Sequence, residues 1–404
     1  MKVLYSAAHG GFAREHAPLG GGAAIFEMLS AEWARTAPFA VAYFTPQTNT
    51  GHDIINFDTG SYARFSRQFE AASTQAIRRE DPAGTVVLVN DIAEGPEFKA
   101  LQDYKVVTIW HVDVVAYIAA IYCRKLVSPK TLVRLYRLLG ALYPGVLQLI
   151  FKKQSDCVQY SAAHIVPSAA MKDIILHCYP DTEPGKIHVL GWGAPPALPA
   201  VDKQAARRQL GIPADALVLI TLSRLSPEKN QQLLLDALAA WERQPGYPTI
   251  YVLICGGAAY MHGKKHESLL RAKAAKLSNT QVRFPGHLHG EQKQLHFSAA
   301  DIYVFPSSHE SYGLTLMEAF QYGLPALTLE NAAMQPAFGA VATPETFLAE
   351  LQQLVQSDLA AKGRAAQAFA LRNPFSAAAA RLATILSDAA SSSPATRAAA
   401  PGPK

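Results

Sequence analysis

PSSHESYGLTLMEAFQYGLP, residues 306–325, decides how this chain is read. It completes the apolar run ADIYVFPSS (300–308) and leads into ALTL (326–329), with Gly323 and Pro325 stopping a helix between them. The order is strand, loop, helix, strand. That is a βαβ unit, whose loop lies at the carboxyl edge of a parallel sheet, where open α/β folds take their ligands. The helix mouth offers unpaired N–H groups and partial positive charge, which suits a sugar diphosphate. Glu310 stands just outside that mouth and Glu318 one turn in, so two carboxylates can grip hydroxyls beside it. The plainer alternative is a capping box made by Thr315 and Glu318, which would only close the helix start.

The same edge collects a second motif. RLSPEKN (224–230) follows the apolar run LVLITL and precedes a helical pattern, so Arg224 and Lys229 project where Glu310 does. Alone these cations read as a solvated basic loop. Sharing an edge with the glutamates, they can make charge-assisted bonds to phosphate oxygens and neutralise a departing diphosphate.

Further outward, strands and helices alternate through the whole chain. In the first half KVLYSA (2–7) leads through Gly20-Gly21-Gly22 into a helix over 23–37, and AVAYF (40–44), TVVLVN (85–90), VVTIWH (106–111) and HIVPS (164–168) supply further strands. The Gly and Pro cluster from Gly191 to Pro199 reads as a linker, which divides the chain near residue 195. A second series restarts with LVLITLSRL (217–225), TIYVLICGG (249–257) and TQVRFPG (280–286), and two last helices cover 344–357 and 374–390. The final helix is expected to pack back across the first domain. The expected fold is therefore α/β: two Rossmann-like domains, 1–195 and 196–375, with parallel sheets facing across a cleft, a crossing helix over 376–390, and a disordered tail over 391–404.

Composition supports a globular chain of about this many domains, at ~100–200 residues each. Half of the 404 residues are hydrophobic and 17% are charged, with a net charge of +5. Cys123, Cys157, Cys178 and Cys255 form no C-x-x-C pair, which argues for reduced core thiols rather than zinc or redox chemistry. The opening strand is too short for a signal peptide or membrane span, so a cytoplasmic protein is expected.

With these motifs in place, the chain resembles the retaining glycosyltransferases of family 4, which have the GT-B fold. The resemblance spans nearly the whole chain, and the E-x7-E stretch with RLSPEKN carries it. It implies that Arg224 and Lys229 hold the diphosphate of a nucleotide-sugar donor, that Glu310 bonds the donor sugar, and that Glu318 takes the ribose hydroxyls. Gly313, Leu314 and Thr315 would complete the phosphate cradle with their amides, and Ser311 and Tyr312 would border the sugar. Gly20, Gly21 and Gly22 resemble the glycine loop that approaches the phosphates. His111 resembles the histidine near the reacting carbon, and Gly286 with His287 the segment beside the base.

The reaction so implied moves a sugar, from a UDP-sugar by expectation, to a hydroxyl of a glycan, lipid-linked glycan or small molecule. The acceptor hydroxyl attacks on the face that the leaving group vacates, and a diphosphate oxygen takes its proton. No Asp-x-Asp pair stands beside these loops, so no cofactor and no essential metal are expected. Two features depart from the family. ENAAMQPAFGA (330–340) replaces the usual glycine pair and acid, and GWGAPP (191–196) differs from the usual linker ending.

From Val114 to Ser155 no acidic residue occurs, while Arg124, Lys125, Lys130, Arg134, Arg137, Lys152 and Lys153 are interleaved with long apolar runs. Such helices suit an anionic membrane surface, against the alternative of a core helix pair with a basic outer face. A membrane-associated enzyme of polysaccharide biosynthesis would follow. Nucleic acid is not expected, because the aromatics follow apolar faces rather than forming a stacking platform. The rival functions are a nucleotide-sugar 2-epimerase on the same fold and, more distantly, a dinucleotide-dependent oxidoreductase, which lacks its G-x-G-x-x-G.

Overall fold

Lys2–Ser6 (β1) pairs in parallel with both Ala40–Phe44 (β2) and Thr85–Val89 (β3). Lys105–Ile109 (β4), Ala163–Val166 (β5) and Ile187–Val189 (β6) extend the sheet in the order β2-β1-β3-β4-β5-β6. The computed structural model describes residues 1–10, 20–46, 59–121, 126–143, 145–258, 260–330 and 338–391. Gly21–Thr36 (α1), Thr59–Ile77 (α2), Val114–Ile121 (α3), Pro129–Leu139 (α4), Gly145–Tyr160 (α5) and Ala169–Cys178 (α6) connect these strands or lie between them. Covered on both faces, β3 is buried along its whole length, which is why it reads as an unbroken apolar run.

The second sheet has the order β12-β11-β10-β7-β8-β9 and is also parallel. Its strands are Leu217–Leu222 (β7), Ile250–Cys255 (β8), Thr280–Gly286 (β9), Ile302–Phe305 (β10), Ala326–Leu329 (β11) and Gly339–Ala342 (β12). Lys203–Leu210 (α7), Gln231–Trp241 (α8), Tyr260–Ala274 (α9), Gly290–Ala299 (α10) and Leu314–Gln321 (α11) alternate with them. Phe347–Gln356 (α12), Leu359–Arg372 (α13) and Phe375–Ser391 (α14) follow. This is the expected architecture of two Rossmann-like domains.

Helix α14 belongs to the first domain's core. Phe375, Ala379, Leu382 and Leu386 are buried with Val3, Ile25, Leu29 and Trp33 under the first sheet, and the Trp33 indole donates to the Ala379 carbonyl at 3.4 Å. The chain thus crosses between domains twice. The crossings run side by side, with Ala194 N–H donating to Asn373 O at 2.7 Å and Phe375 N–H to Ala194 O at 2.9 Å.

The structure departs from the sequence reading at several elements. Strands β6 and β12 and helix α13 were not foreseen. The first is only three residues long, and the buried residues of α13 are Gly363, Ala366 and Ala370, too small to print an apolar stripe. Ser391, expected in the tail, ends α14; residues 392–404 lie outside the described residues.

Cys157, Cys178 and Cys255 are buried free thiols, and burial pushes the first two up to about 12. Cys123, Arg124 and Lys125 lie outside the described residues. Lys153, expected on the basic surface, is instead buried: its ammonium lies 3.1 Å from Glu70 and bonds the carbonyls of Gly95 and Pro96. Burial lowers it to about 8, against the pull of Glu70.

Because α14 closes the first domain's core, Leu382→Ala should cost about 2–5 kcal/mol, the usual penalty for an emptied leucine site. Urea unfolding of the variant beside the wild type measures it, and a change within error would show that α14 contributes nothing to that core.

Candidate functional site

Strand order decides where a ligand can sit. In the second sheet the connections reverse direction between β7 and β10, leaving a crevice at their carboxyl ends. The loop after β7 carries Arg224 and Lys229, and the loop after β10 carries Glu310. In the first sheet the reversal falls between β1 and β3, where the His9 amide, just after β1, donates to Asp91 Oδ2 at 3.2 Å.

The two loops of the second domain are stitched together. Lys229 Nζ lies 2.5 Å from Glu310 Oε1, with both side chains mostly shielded. Ser308 donates from its amide and its hydroxyl to the Glu228 carbonyl, at 3.0 and 3.1 Å. Arg224 Nη2 lies 3.5 Å from Glu228 Oε1. Its carbonyl accepts from Gln231 Nε2 at 2.8 Å, and the same amide nitrogen reaches Ser223 Oγ at 2.9 Å. The remaining Gln231 oxygen accepts from His266 Nε2 at 3.0 Å, which fixes the proton on that nitrogen. A buried amide and a buried imidazole thereby brace the cation loop from behind.

Helix α11 opens at Gly313, and no side chain caps it. Thr315 Oγ1 instead accepts from Tyr303 Oη at 2.7 Å, and Glu318 pairs with Lys293 Nζ at 2.6 Å. The capping-box alternative therefore fails, because both of its side chains are engaged elsewhere. The amides of Leu314 and Thr315 lie in the first turn, where a helix leaves its N–H groups without intrahelical partners.

The first domain brings its glycine loop to this mouth. Helix α1 also starts without a side-chain cap, at Gly20. A Cβ on Gly21 would lie 3.9 Å from Leu314 Cδ1, so the two helix mouths nearly touch. A Cβ on Gly22 would meet Asp91 Oδ1 and His111 Cδ2, each at 3.1 Å. Asn90 Nδ2 holds the Gly22 carbonyl at 3.1 Å and is itself oriented by Tyr5 Oη, 2.8 Å from Asn90 Oδ1.

His111 sits at this junction with Nε2 shielded from solvent and without a hydrogen-bond partner. Burial lowers its imidazole to about 4, against the opposing pull of Asp91, so the ring is neutral at physiological pH. A neutral ring with an open nitrogen can meet a sugar hydroxyl. Close by, His9 Nε2 lies 3.5 Å from Glu94 Oε1, which Tyr62 also bonds. Burial raises the Glu94 carboxyl, but His9 and the hydrogen bonds outweigh it and hold it below its usual range.

Of the residues singled out from sequence, Gly20, Gly21, Gly22, His111, Gly313, Leu314 and Thr315 gather at one junction, with Arg224, Lys229, Glu310 and Ser311 on the adjoining loops. Gly286 and His287 stand apart at the end of β9 and approach the group through Lys293, whose charge helps burial and His289 depress His287. Tyr312 is placed otherwise than expected. Its hydroxyl accepts from the Gly193 amide at 2.7 Å, so it faces the interdomain linker rather than a sugar. Asn90, Asp91, Glu94, His9 and Lys293 were missed. Only Lys293 had a signal, a cation one turn into the helix after β9. The altered segment 330–340 lies largely outside the described residues.

Residues 202–337 match the family model described as Glycosyl transferases group 1. The chain is 34% identical over 179 residues to a D-inositol 3-phosphate glycosyltransferase of Corynebacterium efficiens, covering 43% of this chain and 41% of that protein. To the enzyme of the same name from Thermobispora bispora it is 33% identical over 199 residues, 46% of each chain. The chain thus spans less than half the length of these curated relatives. Two solved structures share the fold across almost the full length. One is Anabaena Alr3699/HepE in complex with UDP and glucose, with TM-score 0.65, 18% identity, and 96% of this chain and 99% of that one covered. The other is WaaG, a glycosyltransferase involved in lipopolysaccharide biosynthesis, with TM-score 0.66, 18% identity, and 95% and 99% covered. The fold is GT-B.

The depressed His111 has a consequence for pH. Its folded value lies below the ordinary 6.5, so the unfolded chain takes up a proton first, and stability falls as pH drops from about 6.5 towards 4. This one group contributes a slope of up to about 1.4 kcal/mol per pH unit. Unfolding free energies of wild type and His111→Gln across that window should diverge by this slope; parallel curves would show that His111 titrates normally.

Proposed function

We propose that the protein is a retaining glycosyltransferase that moves a sugar from a nucleotide-sugar donor to an acceptor hydroxyl. The observation that carries this reading is the junction of two uncapped helix mouths, α1 and α11, beside the Lys229–Glu310 pair and Arg224. A diphosphate in that junction would meet backbone amides from both domains and two cations from one. Glu310 would bond the donor sugar, Glu318 the ribose, and the open nitrogen of His111 a hydroxyl near the anomeric carbon. The glycosyltransferase names of the matched relatives favour transfer over 2-epimerisation, and the UDP held by Anabaena HepE favours a UDP-sugar.

The front-face course follows from the donor inventory. Bond breaking between the anomeric carbon and the diphosphate leaves negative charge on the leaving oxygen, which Arg224, Lys229 and the α11 mouth stabilise. That oxygen then takes the proton of the attacking hydroxyl. Because these groups supply the positive charge, the reading includes no essential metal.

On this reading the acceptor is a lipid-linked glycan at a membrane surface, with the enzyme in the cytoplasm. Helix α4 buries Leu132 and Val133 but leaves Leu138 79% exposed, and Leu126 and Leu142 beside it are 86% and 80% exposed. Arg134 and Arg137 stand exposed on the same helix. Exposed apolar side chains with arginines on the same helix suit the headgroup boundary of an anionic leaflet. Among the described residues no helix is long and apolar enough to cross a membrane.

Lys229→Ala should slow transfer from UDP-sugar on the order of 10²–10³-fold, as loss of one preorganised donor does elsewhere, while circular dichroism stays native. Release of UDP at the wild-type rate would overturn the assignment. Anomeric configuration of the product by NMR tests retention, and turnover that ceases on adding EDTA would overturn metal independence.

Vesicle flotation tests the surface. The protein should float with vesicles rich in phosphatidylglycerol and not with phosphatidylcholine alone. Arg134→Ala with Arg137→Ala should weaken binding on the order of 10–30-fold, at ~1 kcal/mol per arginine. Equal binding by wild type and variant would remove the membrane from the proposal.

A further inference from the structure

We infer that Tyr312 is a positioning residue that ties the donor loop to the hinge between the domains, so that the interdomain angle and the shape of the phosphate cradle are set together. The nucleotide part of this inference rests on the donor reading above; the hinge part does not.

The segment GWGAPP, which departs from the family pattern, is built around this contact. A Cβ on Gly191 would lie 3.1 Å from Tyr312 Cε2, so a side chain there would crowd the ring. Gly193 adopts a φ of +69°, and a Cβ on it would fall 2.5 Å from Asn373 O, on the second crossing. Only glycine meets both demands, and the price is a flexible linker unless something else fixes it. Trp192, 2% exposed, stacks on Phe375 at 6.2 Å and 24°, anchoring the linker to the start of α14. The Gly193 amide, between these anchors, gives its hydrogen to Tyr312 Oη at 2.7 Å.

Tyr312 is well placed to transmit the hinge position. Its ring packs against the core that contains Trp192 and Phe375 and also against the core of the second domain. One residue further, Gly313 opens the mouth of α11. The far end of that helix is tied to the same linker, through Gln321 Nε2 to Pro195 O at 2.8 Å and Tyr322 Oη to Leu198 O at 2.8 Å. Rotation about the crossings must therefore carry α11 along or break these bonds. A ligand that orders residues 310–315 must in turn restrain the hinge, because coupling between two sites is reciprocal.

Tyr312→Phe keeps the ring and removes only the acceptor for the Gly193 amide. Spin labels at Arg67→Cys and Lys276→Cys, both exposed and one in each domain, report the interdomain distance by pulsed EPR. In the ligand-free protein the variant should give a broader or displaced distance distribution than the tyrosine form. Titration with UDP should then show affinity reduced about five- to tenfold, the effect of losing one hydrogen bond of ~1–1.4 kcal/mol from a coupled network. UDP should also shift the distance less in the variant than in the wild type. A general loss of stability would not produce that last difference, so thermal melting of both forms separates the two. Unchanged ligand-free distributions overturn the inference whatever UDP does. Equal UDP affinities with equal distance shifts overturn the coupling. UDP that fails to bind the wild type sinks the donor reading alone, and the ligand-free comparison still decides the hinge.

Discussion

The Lys229–Glu310 pair is the interaction on which the site depends. Removing two charges from water costs more than their attraction commonly returns, so a shielded pair is a poor device for stability. It is a good device for register. It joins the loop after β7 to the loop after β10 across the point where strand order reverses, and Ser308 and Glu228 repeat the join through the backbone. Held in this way, the cation and the carboxylate are fixed in place beforehand, which is the condition under which fixed charges stabilise a developing one.

The two domains contribute different groups to one opening. The second supplies the mouth of α11 and three cations, Arg224, Lys229 and Lys293, each paired with a glutamate of its own domain, and the first supplies Asp91 and Glu94 with a neutral His111. Gly22 leaves room for Asp91 and His111 against the backbone, so this glycine serves close approach.

Between the domains, the double crossing solves a geometrical problem. Two independent sheets must keep their carboxyl edges within reach of one ligand, yet a rigid joint would close the opening to substrates. Paired crossings are held side by side by two backbone bonds, with Trp192 stacked on Phe375. Glycines at 191 and 193 permit the close approach, and Tyr312 couples it to the site.

Much of this was legible in the residues themselves. Strand runs buried on both faces stay apolar throughout, so alternation with helical periods was enough for the two-domain parallel architecture. The E-x7-E stretch and RLSPEKN marked two loops at a sheet edge, because charge, glycine and a helix start fall at fixed spacing. Tertiary structure alone decided the partners. Asn90, Asp91 and Glu94 follow a strand that prints no motif, and His9 reaches Glu94 only because β1 and β3 are neighbours. Tyr312 sits inside the motif yet turns towards residues more than a hundred positions earlier in the chain. Spacing along a sequence fixes which side chains share a loop, whereas strand order and the hinge fix which loops meet, and that is settled by packing between segments far apart.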